Sequence, residues 1–279
     1  METTKSYPSI GQALILLVLL SVLLLGGHIA ASIISAIAGS LLAPNSPVLT
    51  LIDIVAYGAA LLWGFGKTKK SFREVFSFSS SRITLLIPLM PILIGFGIIS
   101  SEVDNITRWF FPMPEFIAEA LADLMGGSII ALMMLAVIAP ANEELLFRGL
   151  ILRGFLSRYT VRKAVLASAI IFALFHINPY QFFTAFFTGV FLAWLFLQTR
   201  SLWPCIAAHA LYNLHLWVVN NVLTIDIPGY RGGAEALLAS HAVEFQPLWF
   251  DALGLLLLGI GLAFLRTQVT IFRIHQMPQ

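Results

Sequence analysis

Charge is scarce in this sequence and cysteine is almost absent. Only 11% of the 279 residues are Asp, Glu, Lys or Arg, whereas 59% are hydrophobic and the mean hydropathy is +0.91. A soluble globular domain carries about 25% charged residues, so water is not the main solvent of this chain. The single cysteine, Cys205, lies in an apolar run and has no partner. That excludes an intrachain disulfide framework and any multi-cysteine metal site, and Cys205 reads as a packing residue. The net charge of +2 is distributed over short loops; it forms no basic face, and no nucleic-acid partner is expected. Internal repeats, linkers and a His-Glu-x-x-His helix are missing as well. One integral membrane domain over 1–279 is the expectation.

Long apolar runs fill most of the rest. About 20 apolar residues, rising 1.5 Å each, cross a ~30 Å hydrocarbon layer. The runs predict helices at roughly 9–40, 47–66, 83–101, 127–155, 163–177, 180–199, 202–224 and 246–267, an all-α polytopic membrane bundle of about eight transmembrane helices. The first run is far longer than the apolar region of a signal peptide and is expected to stay. Basic residues test this division, because cytoplasmic loops are enriched in them. Lys5, Lys67, Lys69, Lys70, Arg73, Arg82, Arg153, Arg158, Arg162, Lys163, Arg200, Arg266 and Arg273 all fall on one side. The other side receives Arg108 and Arg231 together with Glu102, Asp104, Glu115, Glu119, Asp123, Asp226, Glu235, Glu244 and Asp251. Both termini are then cytoplasmic. An amphipathic stretch over 116–124 is expected to lie along the opposite interface.

Few polar residues remain at membrane depth: His28, Asp53, Glu143, Glu144, Arg148, His176, His209, Asn213 and His215. A charge at the bilayer centre costs at least ~2.5 kcal/mol on insertion scales, which makes such residues functional candidates. Glu144 and Arg148 stand at i, i+4 and should pair, leaving Glu143 about 100° round the helix and free to face a cavity. A carboxylate held in a dry cavity suits a general base. Phe172 and His176 share a face of the fifth span. His209 and Asn213, one turn apart in the seventh, can donate hydrogen bonds into one small volume, as an oxyanion requires. Counting residues from the basic ends of these spans puts the groups at similar depth, in a cavity between the fourth, fifth and seventh spans with its mouth toward the cytoplasmic leaflet. His28, Asp53 and His215 fall in no recognisable spacing and read as structural. Phe182, Phe183, Phe186 and Phe187 read as packing or lipid-facing residues.

The set Glu-Glu-x-x-x-Arg (Glu143, Glu144, Arg148), Phe-x-x-x-His (Phe172, His176) and His-x-x-x-Asn (His209, Asn213), in this order on three spans, resembles the CAAX protease and bacteriocin-processing family of intramembrane glutamate proteases. The resemblance covers roughly 127–220, a catalytic core within the membrane domain. It implies that Glu143 and His176 hold and activate a water, that His209 and Asn213 stabilise the oxyanion, and that Glu144, Arg148 and Phe172 support them. It also implies an endopeptidase acting on a membrane-associated substrate, either a prenylated CAAX-type C-terminus or a leader or bacteriocin-type peptide, with membrane lipid as the other partner.

Three other readings are weighed against this one. Glu143, His176 and His209 match a His2Glu zinc site, but an asparagine one turn from His209 fits an oxyanion hole better than a zinc shell, and no metal is expected. A proton-coupled transporter would relay protons through the same residues, yet the inverted repeats common in transporters are missing. A non-catalytic peptide-binding or immunity scaffold would use the residues for binding alone.

Overall fold

The computed structural model describes residues 6–40, 42, 46–79, 83–223, 225–231 and 243–274. Lys5, Arg82 and Glu235, which enter the charge reading, lie outside these residues. The elements are α1 (Ile10–Ile37), α2 (Pro47–Thr68), a short α3 (Phe72–Val75), a 3-10 turn (Ile83–Leu86), α4 (Leu89–Phe110), α5 (Glu115–Leu124), α6 (Ile129–Leu156), α7 (Val161–Phe175), α8 (Pro179–Thr199), α9 (Trp203–Asn221), a two-residue ribbon of β1 (Asp226–Ile227) and β2 (Tyr230–Arg231), and α10 (Leu248–Ile274). The chain is a polytopic helical bundle.

Helix starts follow local chemistry. Ser9 and Gln12 form a reciprocal capping box on α1, the Ser46 hydroxyl accepts from the Leu49 N–H with Pro47 at the first position of α2, and Thr160 caps α7. Each satisfies N–H groups that the first turn of a helix leaves open.

Each of the eight expected spans is a helix, but among the described residues six are long and apolar enough to cross a membrane: α1, α2, α4 with the turn before it, α6, α8 and α10. The two that fall short have a physical reason. α7 has 15 residues, about 22 Å at the helical rise, which is less than a bilayer core. α9 has 19 residues but spends five of them on His209, Asn213, His215, Asn220 and Asn221. α9 is held among its neighbours, whereas α7 packs one face on the bundle and leaves Leu166, Ile170 and Leu174 exposed on the other.

α4 continues past the expected end at 101 and takes in Glu102, Asp104, Asn105 and Arg108. The charges are matched within the helix: Arg108 Nη2 lies 2.7 Å from Asp104 Oδ2, and Asn105 Nδ2 donates to Glu102 Oε2 at 2.9 Å. The amphipathic stretch near 116–124 is α5, with Phe116 70% exposed. α4 and α10 approach backbone to backbone across Gly95, Gly254 and Gly261. A Cβ on Gly254 would stand 2.8 Å from Ile98 Cγ2, and one on Gly95 would meet the Gly254 carbonyl. Small residues are what close helix contact in a membrane requires.

Candidate active site

The acidic pair sits on a helix that changes register twice. α6 runs as ordinary α-helix to Met133, widens to a π segment over Met134–Ile138, returns to α over Ala139–Glu144, and widens again over Leu145–Ile151. In the first π segment the Ala139 N–H closes on the Met134 carbonyl, five residues back. Continued one residue, that spacing would pair residue 140 with the Leu135 carbonyl, but residue 140 is proline and has no N–H. The Asn213 side chain, arriving from α9, donates to the Leu135 carbonyl at 2.9 Å. A tertiary contact thus supplies the donor that the sequence withholds. π segments are rare and recur at functional sites.

Below this point lies a buried ionic cluster. Arg148 Nη1 donates to Glu144 Oε1 at 2.7 Å, and the two side chains are 1% and 0% exposed. The same Oε1 lies 2.9 Å from His209 Nδ1. Arg148 Nη2 donates to the Gly189 carbonyl at 3.3 Å, and its guanidinium covers the Phe172 ring at 4.6 Å. Phe172 meets His176 edge to face with ring centroids 4.9 Å apart, and His209 at 6.0 Å. Glu144 therefore does more than neutralise Arg148: by accepting from Nδ1 it sets the ring plane of His209 and leaves Nε2 as the nitrogen that faces other groups. Those include Glu143, whose Oε2 is 4.0 Å from His209 Nε2 and is buried without a hydrogen-bond partner.

His176 is the last residue of the α7 turn. Its Nδ1 lies 2.9 Å from the Phe172 carbonyl, Ile177 follows at φ +51°, and Asn178 caps α8 by accepting from the Tyr180 N–H at 3.0 Å, with Pro179 opening that helix. A positive φ on a β-branched residue is strained backbone, of order 1–3 kcal/mol. Here it lets α7 turn directly into α8 and holds the His176 imidazole at the corner.

A cavity of about 580 Å³ opens beside this cluster. Phe172, His209 and Asn213 line it, with Thr188 and Gln181 of α8, Ser100 and Asp104 of α4, and Tyr230 and Glu244 from the connection before α10. It lies chiefly among the third, sixth and seventh expected spans, and not among the fourth, fifth and seventh. The reason is the packing of Arg148, Phe147 and Phe172, each 1% exposed or less, which fills the space between α6 and α7. The cavity extends from His209 toward the acidic end of α4 and α9; among the described residues its wall lies away from the basic loops, contrary to the expected mouth toward them. On that side Phe155, Leu202 and Cys205 close the bundle, each 0% exposed. Glu143 and His176 are not in the cavity wall; His209, which lines the cavity, connects it to Glu143.

Residues 125–215 match the family model for Rce1-like proteins, described as type II CAAX prenyl endopeptidase Rce1-like. The motif-bearing core is thus similar to that family. The match spans a third of the chain and holds every residue of the cluster just described, from Glu143 to Asn213. It supports an integral membrane protease in general. No curated protein and no solved structure matches the chain.

The remaining residues singled out in the sequence lie outside this cluster. His28 and Asp53, read singly as structural, pair at 2.8 Å between α1 and α2. His215 packs against Gly97, with the Tyr230 hydroxyl 3.5 Å from Nε2. Cys205 is buried, its thiol directed at the Leu192 carbonyl at 3.5 Å. Phe183 and Phe187 are 46% and 52% exposed, while Phe182 and Phe186 pack on the core. Among the described residues, no group of three His, Cys, Asp or Glu side chains is arranged to hold a metal ion. Sequence reasoning overlooked Leu135, Thr188 and Gly189. Pro140 inside an apolar helical pattern was the available signal for a register change.

Proposed function

We propose that the chain is an intramembrane endopeptidase that hydrolyses a peptide bond of a membrane-associated substrate with a water activated by Glu143 and His176. The observation that carries this reading is the convergence of Glu143, Glu144, Arg148, Phe172 and His209 from three helices, within the stretch that matches the Rce1-like family. In the reaction the water oxygen attacks the scissile carbonyl carbon while Glu143 takes its proton. The carbonyl oxygen becomes an oxyanion that accepts from the Asn213 N–H not given to Leu135 and from Nε2–H of His209, which in this step is the imidazolium, with Nδ1–H on Glu144. The proton held by Glu143 then passes to the amide nitrogen, the C–N bond breaks, and the acid so formed gives its proton to the amine, so that a carboxylate and an ammonium group leave. Donors fixed before the reaction, in a site shielded from water, stabilise such charge strongly. Glu144 and Arg148 act by orienting His209, and no metal takes part. The substrate is a prenylated CAAX-type C-terminus or a leader peptide held at the membrane.

The test is cleavage of a quenched fluorescent lipidated CAAX peptide by detergent-purified protein. Native protein is expected to cleave it, Glu143→Gln to abolish turnover, and a chelator to leave the rate unchanged. Turnover by Glu143→Gln within a few fold of native removes Glu143 as base. Loss of activity with chelator, restored by zinc, replaces this mechanism with a metal-dependent one.

A further inference from the structure

Threonine in a helix commonly turns its hydroxyl back to a carbonyl of the preceding turn. Thr50, Thr68, Thr107, Thr199, Thr267 and Thr270 all do so, over distances of 2.7–3.2 Å. Thr188 does not. Its side chain is 8% exposed, and its hydroxyl is buried with no hydrogen-bond partner. A desolvated hydroxyl left unmatched costs free energy that the free protein does not recover. Its place is specific: Thr188 lies in the cavity wall with Phe172, His209 and Asn213. The next residue, Gly189, presents its carbonyl to Arg148 and packs against Ala169 and Phe172.

The rest of the α8 wall says what ligand chemistry fits. Gln181, Thr184 and Thr188 line the cavity at i, i+3 and i+7, so they share one face and span about 10 Å along the helix axis. That is the length of about three residues of extended chain. Ser100 and Asn105 of α4 and Asn213 and Asn220 of α9 also line it. A lipid tail offers no hydrogen bonds to such a wall, whereas an extended peptide presents an N–H and a C=O at every residue.

We propose that Thr188 is a substrate-binding residue, whose hydroxyl, buried in the free protein, turns about χ1 into the cavity and hydrogen-bonds the main chain of a peptide lying along α8 at the His209 and Asn213 end. The inference rests on the peptidase reading above. It carries an unusual sign: removing the hydroxyl relieves the free protein and harms the complex.

The experiment compares Thr188→Val, which keeps the shape, with Thr188→Ser, which keeps the hydroxyl. Three readouts are taken: thermal unfolding without substrate, kcat/KM on the quenched peptide, and affinity for a labelled uncleaved peptide in a Glu143→Gln background. Thr188→Val is expected to unfold at or above the native temperature, to lose roughly 10-fold in kcat/KM, and to bind the peptide several fold more weakly; one lost hydrogen bond is of that size. Thr188→Ser is expected to stay within about 2-fold of native. Native kcat/KM and affinity in Thr188→Val overturn the proposal. So does a lowered unfolding temperature that Thr188→Ser shares. If native protein binds the peptide without cleaving it, the peptidase reading fails separately, and the affinity comparison still decides the role of Thr188.

Discussion

Glu144 accepts from two directions, Arg148 on its own helix and His209 from α9, through one carboxylate oxygen. A buried pair of this kind contributes little net stability while intact, but losing one partner strands the other charge in a medium that cannot solvate it. Arg148→Ala is therefore expected to destabilise the protein by about 3–5 kcal/mol, read as a large drop in the unfolding temperature in detergent. An unchanged unfolding temperature would mean that the cluster is solvated in a way this geometry does not provide. The pairing of Glu144 with Arg148 was legible from their spacing, because i, i+4 contacts are local. The bond from Glu144 to His209 was not, since it joins residues 65 apart and nothing in either helix's periodicity encodes it. For the same reason Asn213 read only as a donor for substrate, whereas one of its N–H groups serves the Leu135 carbonyl.

At the scale of elements, the helices of the candidate site are held in register by contacts without spare room. α7 and α8 cross at Gly189, where a Cβ would stand 3.0 Å from the Ala169 Cα and 3.4 Å from Phe172 Cδ1. The obstacle at Ala169 is backbone and cannot rotate away. Gly189→Ala is expected to cost about 1–3 kcal/mol through overpacking and to lower turnover, because separating the helices draws the Gly189 carbonyl from Arg148. Native stability together with native turnover would contradict that account. The positions of these helices could be read from hydropathy, with ends displaced by a few residues. Their internal geometry could not: a π segment keeps the same apolar stripe as an α-helix over one turn, and only Pro140 marked the change. The extension of α4 to Phe110 escaped notice because charged residues read as loop until their partners are known, and Asp104 and Arg108 are each other's partner.

Across the whole molecule, hydrophobic composition specified the solvent, and the sequence motifs identified which helices carry polar groups inward. The direction of the cavity came from packing alone. On one side of the His209 level lie the hydrogen-bonding walls of α4, α8 and α9; on the other lie Phe147, Phe155, Phe172, Phe196 and Arg148, each 1% exposed or less. We expect that aromatic layer to act as an electrical seal. With no water path through that layer, the bundle would host hydrolysis within a bilayer and still hold a membrane potential. Proteoliposomes carrying the protein are expected to show the same proton and potassium leak as empty vesicles, with or without peptide. A leak that appears only with the protein would place an open path through this layer. On the peptidase reading, a catalyst that consumes water inside the membrane would work behind an insulator made from its own phenylalanines.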